Sequence, residues 1–455
     1  MKFAKICIIL VICKSLLFST DNPKKIFLNS QSEINQYYLY KNYSSDDIQT
    51  GFVNPIYETK LPWQKADRYF HKWHQIPDLF TYWRIHPTFS FGETQRGIRQ
   101  IIKGTITLEL IPDVIIQNDF EFDSDGYDDP HFRGILPEST GKWTGYLQHS
   151  SLTWFNQWGH VFLGRTNLSF TNTGESVLLN FYFPPSETVW WHVKRGKLQL
   201  DGAIVFLDGV NQKNRIMTFG RYGYQTSQFQ IGFTEMVLLS YNELGAEEIR
   251  YLLPSSALFE TEINGGKNSN LMWMLDWKLK LGHNTITGEL LVDDFAIDGK
   301  SPPKIAGRIG WWHNFDGFIT KIQYIRINRW VGNYFDPELR FQSNGVLMGH
   351  PMGPDGHRVD LSAFWKVTES FFIVTDISWE EKGIGNINDW PEDIGSSSNF
   401  GWSSEKHFPS HPLTSKYSGI ISIDYFVSDW IKITHQIEYS TAYSTDYKLE
   451  IGFTL

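Results

Sequence analysis

From about residue 100 onward, apolar and polar residues alternate one for one through segment after segment. In "KGTITLEL", Ile106, Leu108 and Leu110 fall on one side and Thr105, Thr107 and Glu109 on the other. "VIIQNDFEFD" sets Val114, Ile116, Phe120 and Phe122 against Gln117, Asp119, Glu121 and Asp123. The same period runs through "SQFQIGFTEMVLL", "LMWMLDWKLKLG" and "RIGWWHN" to the closing "YKLEIGFTL". Successive side chains of a strand point to opposite faces, so a period of two predicts strands and not helices. Many segments outlast the about 5–6 residues of a sandwich strand and reach the about 9–11 that cross a bilayer at a tilt.

The connections sharpen this expectation. Tight joints such as "YFVSDWIK" alternate with long loops such as 381–416, rich in Gly, Ser, Asn and Trp. Short turns on one rim and long loops on the other are what a membrane barrel shows. No self-similar unit of propeller length recurs. The fold class predicted is all-β: a transmembrane antiparallel β-barrel of about 18 strands, with 16 also acceptable. In such a barrel the apolar face meets lipid and the polar face lines the lumen. Asp119, Glu121, Glu289, Asp293, Arg308 and Asp424 then belong to the lumen. Trp190, Trp191, Trp311, Trp312, Trp379 and Trp430 belong to aromatic girdles at the two interfaces. Tyr447–Leu455 must pair with the first strand, because an open edge cannot be left in lipid. Removing it should abolish assembly.

The first residues differ. "MKFAKICIILVICKSLLFS" has lysines before a short apolar run and small residues after it, the pattern of a secretory signal peptide spanning 1–19. Residues 20–78 lack the period of two, and short helices are expected near 32–41 and 63–74, in a segment lying in the periplasm. The barrel is expected to occupy 79–455. This places the protein in the outer membrane of a Gram-negative bacterium. Its expected partners are outer-membrane lipid and the barrel-assembly machinery, and a monomer is expected.

Composition then narrows the chemistry. Cys7 and Cys13 both lie in the leader, so the processed chain has no thiol for a disulfide, a nucleophile or a metal. The leader holds three lysines and no acid, so its removal takes the formal charge from −9 to −12, which excludes nucleic acid as a partner. No nucleophile elbow and no H-E-x-x-H occurs, and no catalytic site or cofactor is expected. Asp123, Asp125, Asp128 and Asp129 surround a tight turn and form at most a weak calcium candidate, more simply an acidic loop. His71 and His74 make only half of a metal site. Aromatic residues beside amides, acids and arginines, as in "VWWHVKR" and "RIGWWHN", suit sugar binding, since sugar rings stack on aromatics while hydroxyls seek polar partners.

Four segments together carry a family resemblance: "VFLGRTNLSFTNTGESVLLNFYFPPSETVWW", "NRIMTFGRYGYQTSQFQIGFTEMVLL", "YLLPSSALFETEINGGKNSNLMWMLDWKLKLGHNTITGELLVDDFAID" and "GVLMGHPMGPDGHRVDL". In order and spacing they resemble capsule-assembly proteins of the Wzi family, over roughly residues 80–455. The resemblance implies an outer-membrane barrel with a helical periplasmic piece and an occluded lumen. It also implies lectin-like attachment of capsular or other extracellular polysaccharide. The positions that match are Arg165, Asn214, Arg215, Glu235, Asp276, Asp293, Asp294 and Arg358, either touching sugar or forming a lumen network. Trp190 and Trp191 join them as stacking candidates. The alternatives are a diffusion or substrate-specific porin, and an outer-membrane enzyme or lipid-handling barrel. An open polar lumen would favour the porin; a Ser or His in a rim groove would favour the enzyme.

Overall fold

The computed structural model describes residues 82–453 except for scattered short stretches, the larger being 125–143, 169–175, 180–184, 253–268, 294–303 and 389–407. The expected leader, the helices of 20–78 and the imidazoles of His71 and His74 lie outside the described residues, as do Asp125, Asp128, Asp129, Asp294 and Trp430.

The strands follow in chain order. They begin with β1 (Tyr82–Thr94), β2 (Gly97–Ile111), β3 (Val114–Asp123), β4 (Thr144–Asn156), β5 (Gly159–Thr166), β6 (Ser186–Arg195) and β7 (Leu198–Val210). Next come β8 (Lys213–Gln225), β9 (Phe229–Tyr241), β10 (Ser269–Leu281), β11 (Asn284–Asp293), β12 (Ile305–Phe315) and β13 (Phe318–Ile327). A two-residue pair, β14 (Gln342–Ser343) and β15 (Val346–Leu347), precedes β16 (Gly356–Thr368), β17 (Phe371–Lys382), β18 (Thr414–Ser428), β19 (Ile431–Ser440) and β20 (Tyr443–Phe453). One short helix, α1 (Ala246–Tyr251), follows β9.

All but β14 and β15 belong to one antiparallel sheet of 18 strands, each paired with its chain neighbour. The sheet closes: β20 pairs with β19 on one side and with β1 on the other, in the register Thr88↔Gly452 to Glu93↔Tyr447. Closure joins the first and last strands over this register and leaves no open edge strand, as a sheet that crosses lipid requires. Turns after β2, β4, β6, β8, β10, β12, β16 and β18 are short and share a rim with both ends of the sheet. The opposite rim bears the long connections, including 124–143, 167–185, 242–268, 328–355 and 383–413.

Alternation sets the outward face. Leu163, Tyr222, Phe233, Ile309, Leu361 and Ile377 are exposed there. The inward face departs from expectation. It is polar toward the short-turn rim but apolar toward the long-loop rim, where Phe162, Trp190, Val205, Met217, Phe219 and Met236 are buried. Trp190, expected in a girdle, therefore points into the barrel at 2% exposure, while Trp191 faces out over Gly202. The apolar inward residues pack against loops folded into the lumen: Val177, Leu178 and Leu179 from 167–185, and Val331, Leu339, Phe341, Met348 and Met352 from 328–355. A wall buried on both sides loses its polar alternation, which is why "AIVFL" and "MVLL" are continuous apolar runs.

Candidate functional site

The in-folded segment 328–355 leaves β13, runs through a 3₁₀ turn at Pro337–Leu339 and the β14–β15 pair, and returns to β16. Arg215, on the inward face of β8, is its main clamp. Its Nε donates to the Glu338 carbonyl at 2.6 Å, and its Nη2 donates to the carbonyls of Arg340 and Gln342 at 2.9 and 2.8 Å. Nη1 pairs with Asp208 at 3.0 Å, and Ser343 Oγ donates to the same Asp208 oxygen at 2.8 Å. The planar fork of donors suits a guanidinium and could not be copied by lysine. Asn270 donates to the Leu339 carbonyl at 2.9 Å, Asp293 accepts from the Gly332 N–H at 2.5 Å, and Lys382 donates to the Met352 carbonyl at 2.6 Å. One loop is thus tied to strands β8, β10, β11 and β17.

Lys213 Nζ holds Glu338 Oε1 at 3.0 Å. Burial would raise the Glu338 carboxyl, but its own backbone N–H, Lys213 and Asn211 outweigh burial and keep it below the ordinary glutamate range.

Along the wall from β5 to β16 runs a belt of polar side chains. The His160 and His192 rings stack with centroids 5.5 Å apart, and His192 Nδ1 lies 2.8 Å from Asp201 Oδ1. Arg221 Nη1 reaches Asp201 Oδ2 at 3.5 Å, while its Nε and Nη2 donate to both oxygens of Asp276 at 2.9 and 2.7 Å. That bidentate pair crosses strand β9 over Gly232, where any Cβ would collide with both side chains. Further round, Arg308 Nη2 donates to Glu289 Oε1 at 2.7 Å and Nη1 to Gln323 at 3.2 Å. Gln323 donates to Asp360, which accepts from Arg358 Nε at 2.6 Å. Glu289 also accepts from Ser176 Oγ at 3.1 Å and the Val177 N–H at 2.9 Å, and so anchors the second in-folded loop. The buried arginines and acids named here pair with opposite charges or hydrogen-bond partners, as burial in low dielectric requires.

Of the residues singled out from sequence, Arg215, Asp276, Asp293 and Arg358 face inward, and the plug and belt bring them into one system. Arg165 faces out, paired with Glu187 at 3.2 Å near the long-loop rim. Asn214 also faces out and donates to the Asn242 carbonyl at 3.4 Å. Glu235 faces out and accepts from Trp273 Nε1 at 3.1 Å. The backbone carbonyl of Asp123 accepts from Thr144 Oγ1 at 3.3 Å. Sequence reasoning missed Arg221, His160 and His192. Their signal was a charge or imidazole on the polar face at mid-strand, which counts only once register shows what lies opposite.

The in-folded segment also carries part-exposed polar and aromatic groups, with Tyr334 packed against the apolar core and Lys304 Nζ 5.7 Å from its ring centre. Tyr334 and Phe335 stack at 5.1 Å, and Arg340 Nε donates to the Tyr334 carbonyl at 3.1 Å. Arg340 Nη1 and Gln342 Nε2 both donate to Asn388 Oδ1, at 3.2 and 3.1 Å. Two amides and a guanidinium beside two rings offer donors and a stacking face to a sugar.

No family model matches the chain, and no curated protein does. Solved structures do. Wzi, an outer-membrane protein involved in group 1 capsule assembly in Escherichia coli and described as a carbohydrate-binding β-barrel, aligns with a TM-score of 0.54 at 11% identity, covering 82% of this chain and 84% of that one. This chain has the fold of an outer-membrane β-barrel. The Pseudomonas aeruginosa proteins OccK3 and OccD1 (OprD) align at 11% and 9% identity with TM-scores of 0.47. They cover 83% and 84% of this chain and 97% of their own. At such identities the likeness concerns the fold of the barrel alone.

Proposed function

We propose that this barrel binds capsular or extracellular polysaccharide at the surface of a Gram-negative cell and helps attach or assemble it there, without catalysing a reaction. The observation that carries the proposal is the plug: segment 328–355 packs an apolar core inside the lumen and is clamped by Arg215. A diffusion pore needs a continuous aqueous path, and a loop buried against the wall on four strands works against one. The same loop presents Tyr334, Phe335, Arg340 and Gln342 beside Asn388, which is the donor-and-ring chemistry that glycans use. The resemblance of the motif order to that of capsule-assembly proteins points the same way.

The test is retention of polysaccharide from the protein's own cell by the purified barrel. Arg340→Ala with Asn388→Ala should lower affinity about thirtyfold or more, in keeping with loss of one charge-assisted and one neutral hydrogen bond. Deleting the gene should shed capsule into the medium while synthesis continues. High steady conductance in planar bilayers with no polysaccharide retention would replace the proposal with the porin alternative.

A further inference from the structure

The outward wall holds one feature that glycan attachment leaves unused. A furrow of about 580 Å³ crosses strands β6 to β10 next to the short-turn rim. That volume falls within the about 300–1,000 Å³ of small-ligand sites. Register explains its shape. Leu200, Tyr222, Phe233 and Leu275 lie opposite one another in one outward row. Arg195, Leu198, Tyr224 and Ile231 form the row below. The floor between them includes the backbone of Gly223 and Gly232, a pair directly opposite in register.

The rim end of this apolar furrow is basic. Lys194, Arg195 and Lys197 fall within four residues, and no acid occurs from Trp190 to Leu200. Lys194 is engaged by Gln225 Oε1 at 3.3 Å, while Arg195 and Lys197 are exposed. An apolar slot ending in exposed cations at membrane-interface height complements an acyl chain that ends in an anionic headgroup. A second copy of the chain fits poorly. A two-fold contact over the furrow would set each copy's Arg195 and Lys197 against the other's.

We infer that the furrow is a binding site for an anionic phospholipid of the leaflet on the short-turn side. The acyl chain lies between the two rows, and the phosphate accepts from Arg195 and Lys197. In a barrel with short periplasmic turns this is the periplasmic leaflet. The site holds the lower wall independently of anything bound at the plug.

Native mass spectrometry of the full-chain barrel tests this, with phosphatidylglycerol and phosphatidylethanolamine supplied in equal amounts. One phosphatidylglycerol should be retained about thirtyfold better than phosphatidylethanolamine, a preference of the size two interfacial cations supply. Arg195→Ser with Lys197→Ser should remove the preference, Arg195→Lys with Lys197→Arg should keep it, and Leu200→Trp should lower retention of both lipids. Raised salt should erode the preference in the unaltered barrel, which tests the inference even if a variant fails to fold. Equal retention of the two lipids by the unaltered barrel, an unchanged preference in the double serine variant, or a lipid-free dimer would overturn it. Polysaccharide binding should be the same in every variant, so this inference and the glycan proposal fail separately.

Discussion

The wall and the plug are built from the same chain but held by different forces. The wall is closed by backbone hydrogen bonds, strand to strand, ending with β20 against β1. In lipid those bonds have no substitute, so the wall is all or nothing. The plug is held by side chains: Arg215 and Asn270 on its carbonyls, Asp293 on the Gly332 N–H, and an apolar core beneath. Water can replace such contacts one at a time, so the plug can loosen while the barrel stands. Filling the lumen and spanning the bilayer are therefore separable properties here, and each can be attacked without the other.

The largest effect should come from the wall. Deleting Tyr447–Leu455 removes most of β20 and leaves edges of β1 and β19 unpaired, at several kcal/mol for each group left in lipid. No heat-modifiable, folded band should appear on gels of the outer-membrane fraction. Folded protein from that truncation would mean the wall does not depend on its closing strand.

A smaller and different effect should come from Arg215→Ala. It strips donors from three loop carbonyls, each costing about 1–3 kcal/mol if left unsatisfied. The barrel should keep its heat-modifiable mobility while planar-bilayer recordings change from closed to conducting. Loss of the folded band would show that plug and wall fold as one unit.

The smallest effect is a matter of pH. Glu338 has a lowered pKa in the folded state, so its share of plug stability is present above the ordinary glutamate pKa and lost as pH falls through the lower folded value. Conductance of the unaltered barrel should rise as pH falls below the ordinary glutamate range. Glu338→Gln should leak modestly at neutral pH and lose this acid dependence. Equal acid dependence in both would assign the response to another group.

The legible part of the sequence was the local part. The alternation in "KGTITLEL" and "VIIQNDFEFD" predicted strands β2 and β3, and in β3 Gln117 and Asp123 are buried while Phe122 is exposed, because a strand's two faces are set by its own residues. Strand count and the alternation of short and long connections followed from length and turn chemistry. Glu289, Arg308 and Asp424 were placed on the lumen side for the same reason, and all are buried. Trp190 was misplaced because a tryptophan near an end of an alternating run looks the same whether lipid or an in-folded loop covers it. Arg165 and Glu235 share a motif order with Arg215 and Asp276, yet they point away from the lumen. Only strand phase separates them.

What the sequence determined by itself was the repeating unit: amphipathic strands, their number, and a closed cylinder as the one way to satisfy them in lipid. What the tertiary structure decided was the content of the cylinder. Segment 328–355 is irregular and carries scattered apolar residues, and nothing within it says that Arg215, more than a hundred residues earlier, waits to bind its carbonyls. The Arg221–Asp276 pair likewise spans a strand that contributes only Gly232 between them. A strand's own pattern settles which way its side chains point. What they meet depends on register and on which loops turn inward, and those are set by contacts between residues far apart in the chain.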